Sequence, residues 1–189
     1  MTEQSLKNNF LVAMPSLRDP NFSQTVVYVL GHDQQGARGV VINRPTGLAL
    51  SEVLKKTGIR AKEGVEIPDA VYIGGPVQTE RGCVLHERAR AYMLSEQVTD
   101  GLVFTISKDV LEDIAQGRGP AKRLFFLGYA GWEPGQLEAE LVAGDWITVG
   151  ADPAVIFDVP PQQRYEAALK LLGLDMQALQ FSSGKAGHA

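Results

Sequence analysis

Two β-branched runs, TVVYVL (Thr25–Leu30) and GVVINR (Gly39–Arg44), flank the polar segment GHDQQGAR, and this pairing constrains the fold more than any other stretch of the chain. Val, Ile and Thr lose side-chain freedom in a helix and pack well on a pleated surface, so two such runs around a polar segment predict an antiparallel hairpin. Pro45 has no amide hydrogen to give a ladder and is expected to end the second arm. Upstream, FLVAMP (Phe10–Pro15) reads as a short buried strand stopped by Pro15, and DPN (Asp19–Asn21) as the turn after it.

Downstream, helical and extended patterns follow one another without a regular strand–helix rhythm. SEVLKK (Ser51–Lys56) predicts a short helix with Ser51 as N-cap and Gly58 as its stop. AVYIG and CVLH read as strands on either side of the Gly74 turn, and LVFTIS as a strand whose last residue, Ser107, caps a helix carrying Val110, Leu111 and Ile114. RLFFLGYA (Arg123–Ala130) and WITVG are further strands, with a helix between them entered at Pro134, carrying Leu137 and Leu141, and ended by Gly144. Tyr165, Ala168, Leu169 and Leu172 recur at helical spacing from Pro160 to Gly173. About seven strands and four helices result, which favours an α+β fold with a mainly antiparallel sheet over a doubly wound parallel one.

With 44% hydrophobic and 21% charged residues, the 189-residue chain has enough apolar material for one compact domain, 1–189, without metals or disulfides. The ends, about 1–8 and 182–189, are polar and expected to be flexible. A net charge of -4 opposes a broadly cationic surface for nucleic acid or anionic lipid, and a single cysteine allows no intramolecular disulfide. There is no signal-peptide pattern and no apolar run near membrane-spanning length, so a soluble cytoplasmic protein without a membrane partner is expected.

His32, His86, His188 and Cys83 are scattered, none at the short spacing of a zinc site, so no metal is expected. GxSxG, HExxH and GxxxxGK[ST] are absent, and no cofactor or catalytic residue is assigned. Cys83 and His86, three apart on a strand, point to opposite sides, which argues against a thiolate pair even with Arg81 nearby. The GGP turn (Gly74–Pro76) with Arg81, and the helix entry from Trp132 to Gly135, offer amides, a guanidinium and a helix N-terminus suited to a carboxylate or phosphate. The same glycines also suit tight turns for purely steric reasons. Glu133, Glu138 and Glu140 fit a solvated helix face, with Gln136 and Glu140 as neighbours one turn apart. Trp132 fits a core position better than a stacking platform. Lys55, Lys56, Arg60 and Lys62, and again Arg81, Arg88 and Arg90, form modest basic clusters without the continuous stripe that nucleic acid requires.

The segments FLVAMPSLRDPNF, GVVINRP, GGPVQTERGCVLH, LGYAGW and GQLEAEL, with the terminal GHA, together resemble the YqgE/AlgH family of bacterial proteins across nearly the whole chain and in the same order. The resemblance implies a compact α+β fold with coiled, partly barrel-like β-sheets flanked by helices, a cytosolic location and a regulatory link to alginate production. It implies no particular reaction. The motif positions it carries over are Asp19, Pro20 and Asn21; Asn43, Arg44 and Pro45; Gly74, Gly75 and Pro76; Arg81, Gly82 and His86; and Gly128, Tyr129, Gly131, Trp132, Gly135, Gln136 and Glu138. This chain departs from the pattern at Cys83, where the family commonly has an aromatic, and at Glu133, where a small residue is frequent.

A regulatory or small-ligand-binding protein is therefore expected, its partner a small anionic ligand or a protein. An enzyme acting on a small anionic metabolite and a nucleic-acid-binding transcriptional regulator are the alternatives. The candidate ligand-binding residues are Asn43, Arg44, Gly74, Gly75, Arg81, His86, Trp132, Gln136 and Glu138, with the Gly74 and Trp132 turns expected to form one site anchored by Arg81 against Gln136 or Glu138. Cys83 is expected to be structural: replacement by Ala or Ser should cost about 1 to 3 kcal/mol of stability and leave any cellular phenotype intact. Thiol titration of the native protein should be slow, and fast labelling at neutral pH would contradict burial.

Overall fold

The hairpin predicted from Thr25 to Arg44 is present in the computed structural model, which describes residues 4–175 together with Gln177 and Leu179. In chain order the elements are β1 (Asn9–Ala13), β2 (Val26–Asp33), β3 (Gly36–Val41), β4 (Pro45–Ala49), α1 (Leu50–Lys56), β5 (Ala70–Ile73), β6 (Val77–Glu87), β7 (Ser95–Gln97), β8 (Leu102–Thr105), α2 (Asp109–Ala115), β9 (Arg123–Trp132), α3 (Gln136–Val142), β10 (Trp146–Gly150), α4 (Pro153–Phe157) and α5 (Arg164–Leu171), with a 3-10 turn at Pro161–Gln163 before α5. The fold is α+β, and its strand pairings are antiparallel except for β5 against β9. No described helix is long and apolar enough to cross a membrane. The tail 182–189, including His188, lies outside the described residues.

The described chain forms two compact units. The terminal unit takes the chain up to Arg44 and from Ala130 onward; the central unit is Pro45–Tyr129. In the terminal unit the strand order is β10, β1, β2, β3 and then the last residues of β9. Its core joins Leu11, Val27, Val29, Val41 and Leu137 to Trp132 and Trp146. Trp132 stacks on Phe22 at 6.0 Å, and Trp146 meets both rings edge-on, so the core reading of Trp132 is the one realised.

In the central unit β7, β8 and β6 lie along one edge of β9, and β5 and β4 along the other. Leu54, Val71, Val84, Val110, Ile114 and Phe125 fill its core. Because β5 and β6 flank the same β9 residues, 125–127, the short link at 74–76 has to cross β9. It does so at Gly128. The Gly74 amide donates to the Leu127 carbonyl at 2.9 Å, a Cβ at Gly74 would lie 2.4 Å from the Gly128 oxygen, and a Cβ at Gly128 would lie 2.4 Å from the Gly75 oxygen. Gly128 also takes φ +75°, a conformation that side chains disfavour. The two glycine-rich motifs thus meet backbone to backbone.

Several local expectations are revised. The polar segment after Leu30 is mostly strand: pairing runs to Asp33↔Gly36 through a bulge near Val29, leaving Gln34 and Gln35 as a two-residue turn. Polar residues are tolerated there because Asp33 and Arg38 face water. The second arm of the hairpin ends at Val41, ahead of Pro45, which instead opens β4, as a proline may at a strand's first residue. Ser51 is not the N-cap of α1; Ala49 is, and the Leu50 amide is satisfied by the Asp69 carbonyl at 2.9 Å. Ser107 precedes α2 without capping it: its hydroxyl donates to Asp109 Oδ1 at 2.5 Å and accepts from the Leu94 amide. α4 was not expected, although Asp152 accepting from the Ala154 amide and Pro153 in the first turn are its local signals. Five α-helices therefore stand among the residues up to Asp175, where about four were expected.

Gly128→Ala should destabilise the protein by about 2 to 3 kcal/mol, since it adds both the clash with Gly75 and a disfavoured φ. Urea unfolding of this variant beside Gly58→Ala, where a Cβ meets nothing within 4 Å, checks the steric part, because both glycines have positive φ. Equal losses in the two would refute the crossing constraint.

Candidate functional site

Asn43 and Arg44 follow β3 and close a knot around the DPN turn, all within the terminal unit. Where the β2–β3 ladder stops, the Asn43 side chain replaces it: Oδ1 accepts from the Val26 amide at 2.9 Å and Nδ2 donates to the Gln24 carbonyl at 3.0 Å. The turn is held internally by Asp19, whose Oδ1 accepts from the Asn21 amide and whose carbonyl accepts from Phe22 and Ser23. Arg44 then reaches across it. Nη1 donates to the carbonyls of Pro20 (2.8 Å) and Asn21 (2.6 Å), and Nη2 to that of Ser23 (2.7 Å). Burial lowers the Arg44 pKa from its ordinary value and the nearby Asp19 carboxylate opposes that shift, but a guanidinium stays charged regardless.

A guanidinium carries five N–H donors. Three are engaged, which leaves Nε–H and one hydrogen of Nη2 without a partner among the described residues. Beside the knot opens a cleft of about 420 Å³ lined by Ser23, Gln24, Asn43, Arg44, Pro161, Gln162, Tyr165 and Glu166. Its far wall is anchored, because the Tyr165 hydroxyl donates to the Ala13 carbonyl at 2.6 Å and buried Arg164 donates to the carbonyls of Val159 and Ile42. A fixed cation with spare donors on a polar cleft can hold a carboxylate or phosphate through a charge-assisted pair of hydrogen bonds.

The other expected site residues are placed as follows. Glu138, on α3, pairs with His32 of β2: Nε2 lies 2.5 Å from Glu138 Oε1. The Leu6 amide donates to His32 Nδ1 at 3.0 Å, so Nε2 carries the proton and gives it to the carboxylate. The Gln136 side chain accepts from the Glu133 amide at 3.0 Å, closing the turn into α3. Arg81, exposed on β6 beside the bulge between Val77 and Gly82, makes no side-chain hydrogen bond or ion pair among the described residues. Gly74 and Gly75 serve the backbone crossing described above.

His86 is fully buried in the central unit. Its Nδ1 donates to the Glu87 carbonyl at 2.7 Å, so Nε2 accepts from the Thr105 hydroxyl at 2.7 Å, and Thr105 in turn accepts from Ser95 at 2.8 Å. Burial lowers the His86 pKa, in keeping with this neutral arrangement, and both ring nitrogens are consumed by the fold. Cys83 is buried with its sulfur 3.7 Å from the Phe126 carbonyl, and burial pushes its thiol up to about 12, far from a thiolate at neutral pH.

The sequence did not disclose His32 as the partner of Glu138, nor Tyr165 and Gln162 as walls for Arg44. His32 and Glu138 stand 106 positions apart, and no local spacing marks such a pair. Glu140, read as part of a solvated face, has an Oε2 that is buried without a hydrogen-bond partner among the described residues, and burial raises its pKa against the opposing hydrogen bonds from Trp146 and Trp132.

The strand order, the glycine crossing at β9 and the Asn43–Arg44 knot define a mainly antiparallel α+β protein whose sequence motifs mark backbone junctions. The chain belongs to the AlgH-like family, whose sequence profile matches residues 10–177. It is 50% identical to a UPF0301 protein of Thiobacillus denitrificans over the full length of both chains, and 50% identical to one of Cupriavidus metallidurans over 98% of this chain and 96% of that one. The solution structure of the AlgH protein from Pseudomonas aeruginosa superposes with a TM-score of 0.80 at 48% identity, covering 95% of each chain. A Corynebacterium diphtheriae crystal structure, at 22% identity and a TM-score of 0.72 over 96% of this chain and 94% of that one, shares the fold.

The hydrogen bond from His32 holds Glu138 below its ordinary carboxylate value of 4.5. A carboxyl that titrates lower folded than unfolded contributes stability that is complete above about pH 4.5 and fades as the pH falls through the folded value. Glu138→Gln should therefore flatten the acid limb of the stability curve, read from urea unfolding between about pH 3 and 6. An unchanged acid limb would mean that the pair contributes nothing.

Proposed function

We propose that this AlgH-like protein is a cytoplasmic regulatory protein that binds a small anionic metabolite at the Arg44 cleft and acts in the control of alginate production. The observation that carries the binding reading is the Arg44 guanidinium: three carbonyls hold it, two of its donors have no partner among the described residues, and it lines a polar cleft of about 420 Å³. That volume lies within the usual range of ligand pockets, roughly 300 to 1,000 Å³. Ser23, Gln24 and Gln162 add neutral hydrogen-bonding groups, and Glu166 on the same lining favours a ligand that pairs its anionic group with a donor elsewhere. The regulatory part rests on the resemblance to AlgH proteins, to which the composition and charge of the chain add a soluble character.

Calorimetric titration with a panel of small carboxylates and phosphate esters tests the reading. A binder should lose affinity by about tenfold or more in Arg44→Lys, which keeps the charge but removes the fork. It should lose affinity likewise in Gln162→Trp, which fills the cleft from an exposed position without touching the knot. A ligand that binds both variants as tightly as the parent protein, or a panel without any binder, would defeat the proposal.

A further inference from the structure

The central unit holds a second cleft, of about 450 Å³, whose lining combines an apolar floor with a cationic rim. Leu54, Ile59 and Ile67 supply the floor, and the exposed side chains of Lys55 and Arg60 supply the rim. Its shape follows from how α1 ends. The Ile59 amide donates to the Leu54 carbonyl at 2.9 Å and the Gly58 amide to the Lys55 carbonyl at 3.2 Å, with Gly58 at φ +77°, which is a Schellman ending. That ending brings Ile59 back onto Leu54 and turns the chain so that Arg60 and Lys55 border the same cleft.

Lysine at the last turn of a helix has a local reason, since it faces the negative end of the helix dipole. Arg60 lies beyond the helix and has no such reason. The side chains of Lys55 and Arg60 have no hydrogen bond or ion pair among the described residues, and no acidic side chain lines the cleft. Ser51, which does not cap α1, also lines it, and its hydroxyl has no hydrogen-bond partner among the described residues.

We infer that this cleft binds a small amphiphilic anion, its apolar tail against Leu54, Ile59 and Ile67 and its carboxylate or phosphate head between Lys55 and Arg60. The pattern fits such a ligand because an apolar floor rewards burial of a tail, while two unpaired cations and a hydroxyl at the rim select a negative head. The cleft and residues differ from those of the Arg44 cleft, so the inference stands independently of the function proposed above.

Octanoate is the probe, titrated into isotope-labelled protein and followed by amide chemical shifts. Saturable shifts should centre on Gly58, Ala61 and Ile67, and 1-octanol, which lacks the charge, and inorganic phosphate, which lacks the tail, should each bind at least about tenfold more weakly. Lys55→Gln combined with Arg60→Gln should weaken octanoate about tenfold while leaving the thermal unfolding midpoint unchanged, both side chains being exposed. Shifts centred elsewhere, or an affinity indifferent to the double substitution, would overturn the inference. So would sedimentation with phosphatidylglycerol vesicles that depends on the two cations in a protein that ignores octanoate, because the cations would then serve a membrane surface.

Discussion

The link between β5 and β6 is the constraint on which the central unit depends. Three residues carry the chain from one edge of β9 to the other, so two backbones must cross at contact distance, and only glycine on both sides permits it. With side chains at Gly74 and Gly128, β6 could not reach the register in which Cys83 opposes Phe126 and His86 opposes Arg123. The β6–β8 pairing, and with it the Ser95–Thr105–His86 chain of hydrogen bonds, rests on that register. The glycines at 74 and 128 therefore answer a topological requirement before any chemical one.

The terminal unit solves a different problem, that of ending a hairpin without stranding polar groups. Beyond Ile42 the β2–β3 ladder has no further backbone partner, and the carbonyls of Pro20, Asn21, Ser23 and Gln24 would otherwise depend on water. Asn43 and Arg44 answer with side chains, an amide that copies a peptide and a guanidinium that gathers three carbonyls. Arginine suits the task because its planar fork spreads donors over several acceptors, where a lysine would offer a point charge. A structural role of this kind does not exhaust the group. The three hydrogen bonds that hold Arg44 leave two of its five donors without a partner among the described residues, so clamp and binding group can coexist in one side chain.

The pattern of what the sequence disclosed follows from the range of the forces involved. The β-branched hairpin, the strands on either side of the Gly74 turn and the α+β class were legible, because alternation and side-chain branching act within a few residues. The capping role of Ser51 was misread, because the Leu50 amide is satisfied by Asp69 from a distant segment, and no local motif reports that. α4 was missed although Asp152 and Pro153 announce it, since five residues provide too little periodicity to stand out. Of the candidate site residues, Asn43 and Arg44 come together with the DPN turn, a contact between two motif segments that the sequence reading had not drawn. His32 and Glu138 could not have been paired, because their contact depends on β2 and α3 packing in the same unit.

The two buried groups that most invited a catalytic reading illustrate how a fold can consume reactivity. An imidazole acts as a base only if one nitrogen is free, and in His86 one nitrogen donates to Glu87 while the other accepts from Thr105, whose hydroxyl in turn accepts from Ser95. A thiol attacks only as thiolate, and burial holds Cys83 in the opposite state. Among the described residues, cations with spare donors border one cleft in each unit, Arg44 in the terminal unit and Lys55 with Arg60 in the central one, beside other unsatisfied groups such as the buried Glu140 Oε2. A cation at a concave rim can meet an anion together with neighbouring hydrogen-bonding groups, which is the arrangement that the proposed binding reading requires of both clefts.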